Sequence, residues 1–457
     1  MKQAASGGLL ALVLLTTALR EVGGVTAAGW VAALALTVYL GRQWAALPRA
    51  GKLILLAALA AAAVAATLVP QPAETAQHGL RMACFYASLF CATGLLRGAA
   101  EGSALIARSG RQLLAAPAGT RYAALTFGAN LFGLVLSFGT LQLLGSALRQ
   151  GDARTAVTAS QRRGLLAVLR GFAFASTWSP LSVVLALSLA AADDAQAPRV
   201  LPIAFATAMA LLALGCLVDW REGRQTAAPP GLPGEGWQVQ LRLLALVGGI
   251  VGLSLAVQAL LAIRLLEAVI LAVPPFAAAW MVAQEGGRGA GALRHAGRRL
   301  ARQVVEAFPS FRMEVMILAS ASFAGTLVAE ALPANTIAGA LRALALPGEA
   351  VPALVMALML LAGQLAINPV LTVTVLAAAL PPPLAMGASP TAVAVAYMAG
   401  WGLCVGASPF TLTTLIIGRI AGESGRTVGL GWNGRFTALA FLLASLWLAA
   451  LTPLLPA

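Results

Sequence analysis

Two stretches decide how this chain folds: GFAFASTWSPLSVVL, Gly171–Leu185, and GWGLCVGASPFTLTT, Gly400–Thr414. A shift of 229 positions lays Gly171 on Gly400, Ser179 on Ser408, Pro180 on Pro409 and Ser182 on Thr411. The same shift lays SFGTLQLLG (Ser137–Gly145) on AINPVLTVT (Ala366–Thr374). A shift of 231 pairs the segment starting at Arg81 (RMACFYASLF) with that starting at Arg312 (RMEVMILASA). Identities are few, so order and spacing carry the repeat. Apolar helices interrupted at matching places in two halves of a chain point to the binding site of a transporter.

The composition sets the class. Of 457 residues, 60% are hydrophobic and 10% charged, and the mean hydropathy is +0.87; soluble domains carry about 25% charged residues. Apolar runs recur from end to end, which reads as a polytopic membrane protein. The first run, GLLALVLLTTALREVGG from Gly8, has no clean small-x-small cleavage site, and another apolar run follows at once. It therefore reads as an uncleaved helix rather than a signal peptide. A net charge of +14 would suggest nucleic acid in a soluble chain. Here the arginines sit in the links between spans, so orientation in a lipid bilayer explains them and no nucleic-acid partner is expected. Cys84, Cys91, Cys216 and Cys404 lie in apolar segments without metal spacing and read as small packing residues. His78 and His295 lie far apart in links, so no metal or catalytic constellation is built from them, and no cofactor is expected.

The runs predict helices at 8–22, 25–41, 53–69, 81–97, 164–192 and 200–218, then at 241–263, 267–283, 313–332, 390–420 and 436–455. Two further apolar stretches, 122–148 and 351–380, are decided by charge. Arg97, Arg108, Arg111 and Arg121 precede the first, and Arg149, Arg154, Arg162 and Arg163 follow it. A single crossing would strand one arginine-rich link outside, whereas a re-entrant hairpin turning near Phe138–Thr140 keeps both inside. The second stretch is flanked by nearly uncharged links, so its hairpin, turning at Asn368–Pro369, enters from the other face. Thirteen simple spans are the alternative, at the cost of that stranded link.

The expected fold is thus an all-α polytopic membrane protein of about eleven transmembrane helices plus two re-entrant hairpins, in two inverted-topology repeats with broken helices. Residues 1–22 form an extra N-terminal helix and 23–219 repeat 1, with hairpin 122–148 and broken helix 164–192. A cytoplasmic linker, 220–240, leads to repeat 2, 241–457, with hairpin 351–380 and broken helix 390–420. Basic links place the N-terminus inside and the C-terminus outside.

A helix interrupted at mid-membrane presents carbonyls from one half and N–H groups from the other, suited to a cation and an anion respectively. Candidate binding residues at the interruptions are Gly139, Thr140, Ser176, Thr177, Ser179, Asn368, Gly406, Ser408 and Thr411. Within that set Thr140, Ser179, Asn368 and Ser408 are the expected Na⁺ donors. The competing reading is that Ser-Pro and Asn-Pro merely kink these helices. Of the acidic residues only Glu267, Glu314 and Glu330 are read as touching apolar segments, each near an end, which favours Na⁺ over a proton relay. Glu314 is expected to pair with Arg312, and Arg170 to reach the cytoplasmic edge by snorkelling. Trp178 is open to two readings, a lid or simple packing.

These motifs resemble the ion transporter superfamily, and within it most the divalent anion/Na⁺ symporter family. The resemblance covers the whole chain at the level of architecture. It implies one extra helix, two inverted five-helix repeats, a hairpin and a following broken helix in each, homodimers and elevator-like movement. In that family the hairpin tips carry Ser-Asn-Thr; this chain has Phe138-Gly139-Thr140 and Ile367-Asn368-Pro369, so Thr140 and Asn368 are the partial matches. Arsenite exporters, Na⁺/H⁺ antiporters and the large membrane subunits of TRAP transporters are similar in plan. The expectation is a secondary transporter of the bacterial inner membrane, Na⁺-coupled and carrying a small organic or inorganic anion. The alternatives are an exporter or antiporter of the same plan, a TRAP-type subunit, and, from another class, a membrane-embedded enzyme or non-transporting subunit.

Overall fold

Lipid offers the backbone no hydrogen-bond partners, so a chain this apolar must satisfy its peptide groups within helices. The computed structural model describes residues 2–47, 49–149, 156–222, 238–285, 290–331 and 346–455, and these residues contain helices and no strand. Among them eight helices are long and apolar enough to cross a membrane: Ala4–Gly23, Pro72–Glu101, Ala197–Arg221, Gln238–Leu261, Leu265–Gln284, Gly291–Val328, Pro390–Ala421 and Gly434–Leu454. Shorter apolar helices cover Gly51–Ala66, Gly348–Gln364 and Pro369–Ala379. The chain is an all-α polytopic membrane protein. Most of the predicted linker 220–240, together with Arg154, Arg224 and Arg342, lies outside the described residues.

Two segments read from the sequence as links are amphipathic helices. Ala104–Leu114 buries Ile106, Ser109, Gly110 and Leu113, with Ser109 and Gln240 joined by a 2.8 Å hydrogen bond. Ala290–Arg302 continues through irregular turns over 303–311 into the helix Arg312–Ala331. Their arginines mask the helical spacing of the apolar positions between them.

The chain divides into two compact units that cut across the predicted repeats. One holds Met1–Ser103, Gly249–Ile337 and Thr374–Leu380. Here Pro72–Glu101 packs along Arg312–Ala331, the pair that the 231 shift relates. Gly94 leaves room for the ring of Phe311, which meets Phe90 edge-on at 5.3 Å. Arg81 grips Glu21 with two hydrogen bonds of 2.9 and 2.5 Å.

The other unit holds Ala104–Gly248, Ala338–Val373 and Pro381–Ala457, and with them all four interruptions. The first predicted hairpin is two helices, Ala118–Leu136 and Gly139–Leu148, broken at Ser137. The second is Val351–Gln364 and Pro369–Ala379, broken over 365–368. Ser137 has φ +50° and Ala366 has φ +62°, a conformation that non-glycine residues seldom adopt, and the two residues are 229 positions apart. The first broken helix runs Ala159–Ala173, a turn at Ala175–Thr177, then Val183–Ala191. The second runs Pro390–Ala407, then Leu412–Ala421. The second halves start from N-cap residues Ser182 and Thr411, again 229 apart.

Glycine sets the spacing at equivalent points. A Cβ on Gly171 would lie 2.1 Å from the Thr126 carbonyl oxygen, and one on Gly400 would lie 3.2 Å from the Met356 Cα. Each broken helix thereby rests backbone against backbone on the first helix of its hairpin. The helix Gln238–Leu261 begins in this unit and belongs to the first from Gly249 on; Gly248 and Gly252 have nothing within 4 Å of where a Cβ would stand. The substitution Gly171→Ala is expected to cost about 1–3 kcal/mol by overpacking, read as a lower melting temperature of the purified protein. Gly252→Ala, with open space for its methyl group inside a helix, is expected to raise the melting temperature slightly.

Candidate functional site

An interruption strips helical partners from nearby carbonyls, and at three of the four here side chains from the same unit replace them. At the first broken helix, Asn130 donates its amide to the Gly171 carbonyl at 3.0 Å and accepts from the Trp178 indole N–H at 3.1 Å. The Thr177 hydroxyl donates to the Phe174 carbonyl at 2.9 Å. Ser179 Oγ accepts from the Leu181 N–H, and Ser182 Oγ from the Val184 N–H, which starts the second half-helix. Trp178 packs edge-on against Phe205 at 5.0 Å; of the two readings, packing is what the geometry shows.

The second break is closed more completely. Ser408 Oγ donates to the Gly363 carbonyl at 2.6 Å and accepts from the Phe410 N–H, the same local turn that Ser179 makes. Thr411 donates to the Val405 carbonyl at 2.9 Å, and Thr414 to the Ser408 carbonyl at 2.6 Å. Buried Gly406 has its carbonyl held by the Asn433 amide at 2.9 Å.

The hairpin tips differ from one another. Thr140 is fully buried, and its hydroxyl has no hydrogen-bond partner among the described residues. Half-buried Asn368 accepts from the Val370 N–H at 2.8 Å, capping the helix that begins at Pro369. Gly139 and Ser176 are half-buried beside these groups in sequence. Ser408 and Thr411 thus share one network, Gly406 is tied through Asn433 to Arg170, and Thr177 bonds to the Phe174 carbonyl. No hydrogen bond joins Thr140 to Ser179 or Asn368 to Ser408 among the described residues.

Arg170 departs from expectation. It does not snorkel; it is 5% exposed. Its Nε donates to Asn433 Oδ1 at 2.8 Å and its Nη1 to the Tyr122 hydroxyl at 2.7 Å, with the guanidinium 4.3 Å from the centre of the Phe436 ring. The reason is local: Arg170 sits in the last turn of a half-helix whose interruption supplies polar company inside the bundle. Asn130, Asn433 and Tyr122 are functional candidates that the sequence reading passed over. An amide inside an apolar helix, as at Asn130, was the available signal.

The acidic residues also need revising. Glu267 caps its own helix by accepting from the Arg264 N–H. Glu21 and Asp219, too, lie within long apolar helices, each gripped by two hydrogen bonds from an arginine, Arg81 and Arg163. The expected Arg312–Glu314 ion pair is absent among the described residues, whose closest acid–base pairs lie elsewhere. Those residues contain no group of three or more His, Cys, Asp or Glu side chains placed to hold a metal ion.

No family model and no curated protein matches this sequence. Among solved structures the chain is similar to the YdaH transporter of Alcanivorax borkumensis, whose crystal structure shows an unusual topology. The TM-score is 0.51 at 19% identity, over 79% of this chain and 84% of that one. A second similar structure is MtrF of Neisseria gonorrhoeae, one of a class of antimetabolite efflux pumps, with TM-score 0.49 at 15% identity over 79% and 80%. At these identities what is shared with YdaH is the fold.

Thr140→Val is expected to leave stability unchanged or raise it, because an unpaired buried hydroxyl costs about 1–3 kcal/mol. Asn130→Leu, which orphans the Gly171 carbonyl and the Trp178 indole, is expected to lower the melting temperature. Thermal unfolding in one detergent tests both.

Proposed function

We propose that this chain is a secondary active transporter of a bacterial inner membrane, working by Na⁺-coupled symport of a small organic or inorganic anion. The observation that carries the reading is Thr140: a hydroxyl left buried and unpaired at the tip of a broken hairpin, where lipid makes such a group costly unless something binds it. The fold shared with a solved transporter supports the same class. Neutral oxygens suit Na⁺, and two carboxylates in the last turns of apolar helices, Glu21 and Asp219, are tied to arginines instead of serving a proton path. Thr140 with Ser179, and Asn368 with Ser408, are the proposed cation donors.

The unit that gathers the interruptions is the one we assign to carry the solute in an elevator-type alternating-access cycle, with the other unit as scaffold and the homodimer as the working form. The repeats are inverted in this reading, the N-terminus inside and the C-terminus outside. Cysteines placed at positions 121 and 149 are expected to react with an impermeant reagent from the same face; reaction from opposite faces would make the first hairpin a simple span.

The decisive assay is uptake of a panel of labelled anions into proteoliposomes with and without an inward Na⁺ gradient. Uptake is expected only with the gradient. Thr140→Val and Asn368→Leu are expected to abolish it while the protein stays folded in the membrane. Undiminished uptake by both variants would remove these residues from the site. Extrusion driven by a pH gradient would instead make the chain an exporter.

A further inference from the structure

We propose that Arg170 is the counter-charge for the transported anion and that its ligand is a monocarboxylate with a small apolar body. The inference rests on the transporter reading above and sharpens its substrate. The guanidinium is buried, yet every partner it has is neutral: Asn433 Oδ1, the Tyr122 hydroxyl and the Phe436 ring. No carboxylate lies within ion-pair distance of it among the described residues. Asp219, on the neighbouring helix Ala197–Glu222, is already engaged through both oxygens by Arg163, each contact 2.7 Å. The cluster therefore carries one uncompensated positive charge out of water. A buried charge without its pair is costly, and inside a membrane protein a charge of this kind marks a ligand pathway.

The chemistry of the ligand follows from what surrounds the fork. An arginine presents parallel N–H groups that match a carboxylate, and such two-pronged pairs are stronger than bonds to a neutral amide. A carboxylate entering here would displace Asn433 Oδ1 and take the guanidinium edge, leaving the guanidinium over the Phe436 ring. Only one positive charge is available, so a dianion would keep a second buried charge unpaired. The cramped space beside Arg170 is otherwise lined by the apolar Ala173, Phe174, Leu403 and Phe436 and by Thr437, whose hydroxyl is spent on the Asn433 carbonyl at 3.0 Å. Gly402 is what admits the Phe174 ring, since a Cβ there would stand 2.7 Å from it. The 229 shift puts Ala399 opposite Arg170 and Ala204 opposite Asn433, so the second repeat has no such site and the chain takes one anion.

Asn433 gives the site a second consequence. The same amide that accepts from Arg170 donates to the Gly406 carbonyl at the second break. When a carboxylate replaces Asn433 at Arg170, the Gly406 carbonyl is released beside Ser408, one of the proposed cation donors. Anion arrival thus uncovers an oxygen for the coupling ion. Asn433 is the positioning residue in this scheme, and Arg170 is the one that touches the ligand.

The test is thermal unfolding of the purified full-length protein titrated with propionate, benzoate, succinate, sulfate and chloride at constant ionic strength. Propionate or benzoate should raise the melting temperature saturably, whereas succinate, sulfate and chloride should not. Arg170→Met should abolish the shift, with a ligand-free melting temperature equal to or above that of the wild type, because the burdensome charge is gone. Asn433→Asp supplies a permanent carboxylate and should also abolish the shift. Arg170→Lys keeps charge but loses the fork, and should weaken the response about tenfold or more. If Arg170→Met does not fold, the lysine variant decides: an unchanged titration midpoint overturns the proposal. It is overturned equally if Arg170→Met keeps the wild-type shift, or if no monocarboxylate shifts the wild type. A saturable shift without uptake in proteoliposomes would leave the anion site standing and defeat the transporter reading. Uptake by Arg170→Met at the wild-type KM would do the reverse.

Discussion

A carbonyl that loses its helical partner within a bilayer must find another donor, and the architecture of the interrupted unit follows from that requirement. At three of the four breaks the substitute donor is a side chain: Asn130 for Gly171, Asn433 for Gly406, Ser408 for Gly363, Thr411 for Val405. Three of these four bonds join residues at least 27 positions apart, so closing a break also fixes how separate helices pack. Close packing in turn demands glycine where backbone meets backbone, as at Gly171 against Thr126 and Gly400 against Met356. Polar closure and small residues are two sides of one constraint.

The two halves answer that constraint unequally. Around Ser408 three hydroxyls and one amide leave the second break well satisfied, while the first keeps an unpaired hydroxyl at Thr140 and a lone guanidinium at Arg170. The interruptions follow a shared plan, and the side chains around them depart from it. Fold similarity at 19% identity speaks to that architecture alone.

The interruptions themselves were legible in the sequence, because Gly, Ser-Pro and Asn-Pro act on the backbone locally. Breaks fall at Ser137, over 365–368, after Ala173 and at Ser408, close to where those residues announce them. What closes the breaks was not legible. Arg170 and Asn433 are 263 positions apart, and Asn130 and Trp178 are 48 apart; pairings at that range depend on which helices pack, which composition does not encode. Arg170 was misplaced for the same reason: hydropathy assigns a basic residue near a helix start to the water, and only the fold shows a polar niche waiting inside. Arginine-rich stretches misled in the opposite sense, hiding the helices Ala104–Leu114 and Ala290–Arg302 within apparent links.

The helix Gln238–Leu261 belongs to both compact units, changing allegiance at Gly248–Gly249 without a loop. Glycine lowers the cost of bending or twisting a helix, since it adds no side chain to resist and is the least committed residue to helical geometry. Gly248 and Gly252 stand clear of neighbours, so the stretch around them is the most pliant section of this helix.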